Sequence, residues 1–287
     1  MQTPSIVKDV GVYQMKGRRD TMEDIVVVSE NFDIFPDHRP CLFVAVYDGH
    51  SGKDTAEYLA KNLHTSLKKS IREAVENCGE IITTTDAFVN AFVSVDKTLK
   101  KMWESKGSSL SNDSGSTANI CLITADAYVC ANVGDCRCVL QRENSTLDLS
   151  VDHKADLHSE QDRIVSAGGY VFGHRVCGVL AITRAFGDFF LKRKENVLFE
   201  KQPVVAIPDV TITNRLSTDR FLIVASDGLW DKVTSEQAVK CVQNHKDESE
   251  MCNFDGIYNA KGPAMTLGNL AFRMGSGDNI SCIVVYL

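Results

Sequence analysis

The chain has 287 residues, 44% of them hydrophobic, so it is long enough to bury a sizeable core, and it carries a formal net charge of −7. That acidic balance excludes broad nucleic-acid or anionic-membrane binding, which needs a basic face, but leaves room for one phosphate site whose sign is reversed locally by metal ions and a few arginines. No apolar run approaches the roughly 20 residues of a membrane span, and Met1-Gln2-Thr3-Pro4 has neither the pattern of a secretory leader nor a glycine at position 2 for myristoylation.

Along the chain, apolar runs of strand length stand at Ile25 to Ser29 and Leu42 to Tyr47. Two helical patterns follow, one carrying Ala56, Leu59, Leu63, Leu67 and Ile71, the other Phe88, Ala91, Phe92, Val95, Leu99 and Met102. Strand runs return at Thr117 to Thr124, Tyr128 to Val133, Cys136 to Leu140, Phe221 to Ala225 and Ile280 to Leu287. Helices are predicted over His158 to Ala167, over Ser235 to His245 behind a Thr-Ser cap, and over Pro263 to Arg273. The polar stretches Glu104 to Ser114 and Lys192 to Gln202 read as surface loops, the second with a solvated basic patch at Lys192-Arg193-Lys194. Strands in runs and helices in pairs predict an α+β fold: antiparallel sheets packed on each other with helices outside, in one domain over 1–287. Of ten cysteines, Cys121, Cys130, Cys138 and Cys282 sit inside apolar runs, as free thiols of a cytoplasmic or nuclear protein would.

Acids mark the strand ends. Asp48 closes one run and Asp227 follows another, each before a glycine; Glu23-Asp24 precedes Ile25, and Asp278-Asn279 precedes Ile280. Antiparallel strands set one strand's end beside the next one's start, so these segments can converge on a single edge, an oxygen-rich setting that suits Mg²⁺ or Mn²⁺. A lone Asp-Gly pair is usually a turn; two in the same context shift the balance.

The flanking residues carry a resemblance. Arg19-Asp20-Thr21-Met22-Glu23-Asp24, Asp48-Gly49-His50-Ser51-Gly52, Gly115-Ser116-Thr117-Ala118, Asn132-Val133-Gly134-Asp135, Asp152-His153-Lys154, Arg184-Ala185-Phe186-Gly187-Asp188, Ser226-Asp227-Gly228-Leu229-Trp230-Asp231 and Gly277-Asp278-Asn279-Ile280 resemble, in order, segments of the PP2C family of metal-dependent serine/threonine protein phosphatases. The resemblance implies a four-layer αββα sandwich with a flap at about residues 172–202, two Mg²⁺ or Mn²⁺ ions with a third, weaker metal position, and phosphorylated proteins as substrates of a monomer. It implies that Asp48, Asp227 and Asp278 hold one metal, and that Glu23, Asp48 and the Gly49 carbonyl hold the second. Asp135 with Asp227 marks the third. A water shared by the two metals would attack phosphorus without a phosphoenzyme, His50 would protonate the leaving oxygen, and Arg19 would bind phosphate. Asp24 and Asn279 would orient the metal-binding groups, Arg18 would be a solvated neighbour, and Asp188 and Asp231 would be structural.

Competing motifs are weak. Cys136 and Arg142 have the spacing of cysteine phosphatases, but Arg137 to Gln141 alternates like a strand rather than forming a phosphate cradle. Gly52-Lys53 lacks the rest of a P-loop, and no Cys-x2-Cys pairs suggest zinc. A calcium loop would need an Asp ladder that is missing; an inactive phosphatase-like scaffold would be expected to lack acids that are present here. Cys177, where the family commonly has asparagine, reads as a thiol in an apolar strand of the flap, and it bears on substrate preference together with His158-Ser159-Glu160.

Overall fold

The computed structural model describes residues 6–35, 38–78, 84–105, 114–252 and 259–287. It begins with β1 (Asp9–Met15), β2 (Ile25–Ser29), β3 (Leu42–Tyr47) and the two-residue β4 (Gly49–His50), then α1 (Asp54–Cys78) and α2 (Thr84–Ser105). Next come β5 (Gly115–Ser116), β6 (Ala118–Ile123), β7 (Ala127–Val133), β8 (Arg137–Arg142), β9 (Ser145–Asp148) and α3 (His158–Ser166). Short strands β10 (Val171–Phe172), β11 (Arg175–Val176) and β12 (Phe186–Gly187) lead to β13 (Asp209–Asn214) and β14 (Asp219–Ala225). The chain ends with α4 (Asp227–Trp230), α5 (Ser235–Cys252), α6 (Lys261–Arg273) and β15 (Ile280–Tyr286).

One five-stranded sheet has the order β1-β15-β14-β8-β9 and the other β13-β7-β6-β3-β2, antiparallel throughout. The reason β3 and β14 read as unbroken apolar runs is that both faces of each are covered. Leu42, Val44 and Val46 pack between the sheets with Leu222 and Val224. Phe43, Ala45 and Tyr47 turn the other way, onto Leu59, Leu63 and Phe92 of α1 and α2. Phe221, Ile223 and Ala225 meet Ala238, Val242 and Leu267 of α5 and α6. Alternate side chains on opposite faces thus give helix pair, sheet, sheet and helix pair, the expected αββα sandwich.

Local signals set the helix starts. Gln237 N–H donates to Thr234 Oγ1 at 3.3 Å and Thr234 N–H to Gln237 Oε1 at 3.0 Å, a reciprocal box that starts α5. Pro263 lies in the first turn of α6, where its missing N–H has no helical partner to lose. None of the helices among the described residues is long and apolar enough to cross a membrane.

Several expectations are corrected. Lys192 is not part of a solvated patch: it is 1% exposed, and its Nζ donates to Asp96 Oδ2 at 2.6 Å, because the tight turn Phe189–Leu191 points it inward. Cys177 is not in a strand; it follows β11 in a turn at φ 51, a conformation asparagine tolerates well. Strands β1, β9 and β13 go beyond the runs read from sequence, since β13 is a half-exposed edge and Gly11 interrupts the apolar pattern of β1. Most of the polar stretch Glu104 to Ser114 lies outside the described residues.

Candidate active site

Antiparallel register gathers the acids. Ile25 pairs with Tyr47, which sets Glu23 and Asp24, just ahead of β2, beside Asp48 at the end of β3. Ala225 pairs with Cys282 on one side and Arg137 on the other, which brings Asp227, Asp278 and Asp135 to one end of the facing sheet. The two groups meet at an edge of the sandwich in a cleft of about 350 Å³. Arg19, Glu23, Asp48, Gly49, His50, Asp135, Asp227, Asp278 and Asn279 all line it, and Asp24 lies nearby, 4% exposed.

Backbone and side-chain bonds hold this edge in place. Asp48 N–H donates to Thr117 Oγ1 at 3.0 Å, and Thr117 N–H donates back to the Asp48 carbonyl at 2.9 Å. Glu23 accepts from Thr21 Oγ1 at 2.8 Å and from Gly52 N–H at 3.0 Å. A Cβ at position 49 would stand 2.6 Å from the Glu23 carbonyl oxygen, so glycine is what lets the Glu23 segment lie against β4. Asn279 Oδ1 accepts from Glu23 N–H at 2.7 Å, and its Nδ2 donates to the carbonyls of Lys16 and Thr21 at 2.8 Å, tying the β1–β2 loop to β15. Arg19 Nη2 donates to Asp278 Oδ2 at 2.7 Å. Arg18 is exposed, as a solvated neighbour would be, and its side chain also donates to the Ser276 carbonyl at 2.8 Å and lies over the Phe272 ring at 4.9 Å.

The electrostatics are those of crowded, partly dehydrated acids. Burial first, then the charges of Asp24, Asp227, Asp135 and Asp278, push the Asp48 carboxyl well above the usual range. Burial and the charges of Asp135, Asp231 and Asp278 do the same to Asp227. Burial raises Asp135 to about 6 although Lys154 opposes it, and raises Asp24 to about 6 against hydrogen bonds from serine hydroxyls. Asp24 Oδ2 accepts from Ser226 Oγ at 2.9 Å, while its Oδ1 is buried with no hydrogen-bond partner among the described residues. Lys154, 3.4 Å from Asp135 and 2.9 Å from Asp231, offsets only part of the charge. A hard, oxygen-only donor set of this kind fits divalent cations. Among the described residues, no group of three or more His, Cys, Asp or Glu is already drawn into metal-holding geometry.

Two residues escape sequence reasoning. Asp188, read as structural, places Oδ2 2.8 Å from His50 Nε2. Thr117 supplies the hydroxyl that fixes the Asp48 backbone. Both were visible as members of motifs, but no local spacing links position 188 to 50 or 117 to 48.

Comparison with known proteins bears on the family and the fold. The family model described as Protein phosphatase 2C matches residues 8–280. The chain is 36% identical over 278 residues to "Probable protein phosphatase 2C 59" of Arabidopsis thaliana, covering 96% of this chain and 78% of that protein. A solved phosphatase from Toxoplasma gondii superposes with a TM-score of 0.80 at 25% identity, covering 96% of this chain and 91% of that one. A serine-threonine phosphatase 2C from the same organism superposes with a TM-score of 0.77 at 22% identity, a likeness of fold.

Proposed function

The chain belongs to the protein phosphatase 2C family of serine/threonine phosphatases, and from that premise we propose that it hydrolyses phosphoserine and phosphothreonine in proteins by direct attack of water, without a phosphoenzyme. The observation that carries the reading is the meeting, in one cleft, of carboxylates from both sheets with His50 and Arg19. Asp48, Asp227 and Asp278 would hold one Mg²⁺ or Mn²⁺, Glu23, Asp48 and the Gly49 carbonyl a second, and Asp135 with Asp227 a third, weaker one. When bound, such cations offset charge on the phosphoryl oxygens and lower the pKa of water toward neutrality.

The chain's own residues do the rest. Asp48 belongs to both cation sets, so its backbone must be fixed, and the paired bonds to Thr117 fix it. Asn279 and Asp24 set the positions of Glu23 and of the strand ends. Arg19 spends one N–H on Asp278 and keeps the remainder of its planar fork for phosphoryl oxygens. His50 gives a proton to the departing serine or threonine oxygen. Arg175, Val179 and Leu180 of the flap line the same cleft and would meet the residues flanking the phosphate.

Phosphate release from a phosphothreonine peptide, with Mn²⁺, with Mg²⁺ and with excess EDTA, tests the reading. Release is expected with either cation and abolished by EDTA. Silence on several phosphopeptides under all conditions would instead support a phosphatase-like scaffold that binds a partner without hydrolysis.

A further inference from the structure

His50 and Asp188 meet across a small ribbon. Strands β12, β5 and β4 pair antiparallel in that order, with Gly187 opposite Gly115 and Gly115 opposite His50. Asp188 follows at φ 49 and starts the 3-10 turn Phe189–Leu191. From there its carboxylate, 2% exposed, reaches the His50 ring, 27% exposed. Gly115 leaves the path open: a Cβ there would stand 2.2 Å from Asp188 Oδ2 and 2.2 Å from His50 Nε2.

A second buried ion pair holds this turn from behind. Asp96 on α2 accepts from Gly187 N–H at 2.9 Å through Oδ1 and from Lys192 Nζ at 2.6 Å through Oδ2. Lys192 also donates to the Ala185 carbonyl at 2.8 Å. Neither side chain is more than 1% exposed. Ion pairs so far from water carry a large desolvation cost and persist in one well-satisfied geometry. This one ties together Ala185, Gly187 and Lys192, the residues on either side of Asp188.

We propose that Asp188 is the positioning residue for the proton donor: with its turn held by Asp96 and Lys192, its carboxylate grips the His50 ring at Nε2–H and leaves Nδ1 as the nitrogen for proton transfer. The inference rests on the phosphatase reading above. In the step it serves, the water oxygen forms the new bond to phosphorus, and the bond from phosphorus to the serine or threonine oxygen breaks with its electron pair. That oxygen takes the Nδ1 proton of the imidazolium; the water's surplus proton goes to solvent, and His50 is reprotonated for the next turnover. A carboxylate on the remote ring nitrogen fixes the tautomer and orientation such a donor needs.

The test compares wild type with Asp188→Asn and, independently, Gly115→Ala, whose methyl would stand between the two groups. Two substrates are used: a phosphothreonine peptide, whose leaving oxygen needs a proton, and p-nitrophenyl phosphate, whose leaving group departs without one. Peptide kcat is expected to fall about 10- to 100-fold in each variant with KM within about twofold, and this fall exceeds that on p-nitrophenyl phosphate by about tenfold or more. In the metal-free protein, ¹⁵N imidazole spectra, with His50→Gln assigning the ring among seven histidines, should show Nε2 protonated in wild type and the pattern displaced in both variants. Equal losses on both substrates, or a His50 signature unmoved by Asp188→Asn, would overturn the proposal. If wild type cleaves neither substrate, the phosphatase reading fails, and the imidazole spectra alone decide whether Asp188 holds the ring.

Discussion

Glu160 and Asp48 are both acids withdrawn from water, and the molecule treats them oppositely. Burial alone would raise the carboxyl of Glu160, which is 2% exposed, but hydrogen bonds from Arg184 and Arg163 prevail and hold it at about 2. Arg184 reaches one oxygen at 2.8 Å, Arg163 the other at 2.7 Å, and Thr183 Oγ1 adds a bond of 2.6 Å. Arg184 continues to Asp209 at 2.7 Å, and His153 joins Asp209 to the Gly134 N–H, so this compensated network ends beside the Asp135 turn. At the cleft, burial and like charges drive Asp48 and Asp227 upward, with little to offset them. The network around α3 contributes stability; the cleft crowds buried acids whose charges its own residues leave largely unopposed.

Asp227→Asn probes the larger effect. Turnover on a phosphothreonine peptide should drop about 10²- to 10⁴-fold, some 3 to 5 kcal/mol of barrier at 1.36 kcal/mol per tenfold. The metal-free variant should melt no lower than wild type, because asparagine resembles the neutral acid and removes a repelled charge. A clear loss of metal-free stability would break the comparison, showing that Asp227 is compensated after all.

Glu160→Gln probes the other side. A carboxyl moved from 4.5 to about 2 in a site this buried is linked to about 3 kcal/mol of stability. Because the folded value lies below the unfolded one, the contribution is complete above about pH 4.5, shrinks as pH falls and is gone below about 2. Unfolding free energies from denaturant titration at pH 7 should therefore separate wild type from variant by about 3 kcal/mol, and at pH 3 by about half of that or less. An unchanged gap at pH 3 would mean that shape, not charge, is what Glu160 supplies.

The sandwich was legible because its central strands are covered on both faces and so read as continuous apolar runs; edge strand β13, half in water, leaves no such trace. The acids of the cleft were legible because one pattern recurs: Asp48 stands just after one apolar run and Asp227 one residue beyond another, each before a glycine, where a single such pair would have read as a turn. Asp188 and Lys192 were not. Their partners, His50 and Asp96, lie 138 and 96 positions away in sequence, and Lys192 sits in a run of three basic residues that looks solvated until the turn before it is seen.

Asp209→Asn carries the smallest expected effect and sharpens what the comparison means. Its carboxyl too is held well below the usual range, first by the His153 hydrogen bond and, against burial, by Arg184. Yet its side chain is 55% exposed, where that of Glu160 is 2% exposed. Water and salt therefore screen much of the attraction, and asparagine keeps an oxygen that can accept from His153 or Arg184. The loss of stability should stay below about 1 kcal/mol, and it should shrink between low salt and about 1 M salt as the Debye length contracts to about 3 Å. A loss matching Glu160→Gln, and indifferent to salt, would mean that depth of burial does not separate the two acids and that the network acts as one unit reaching the Asp135 turn through His153.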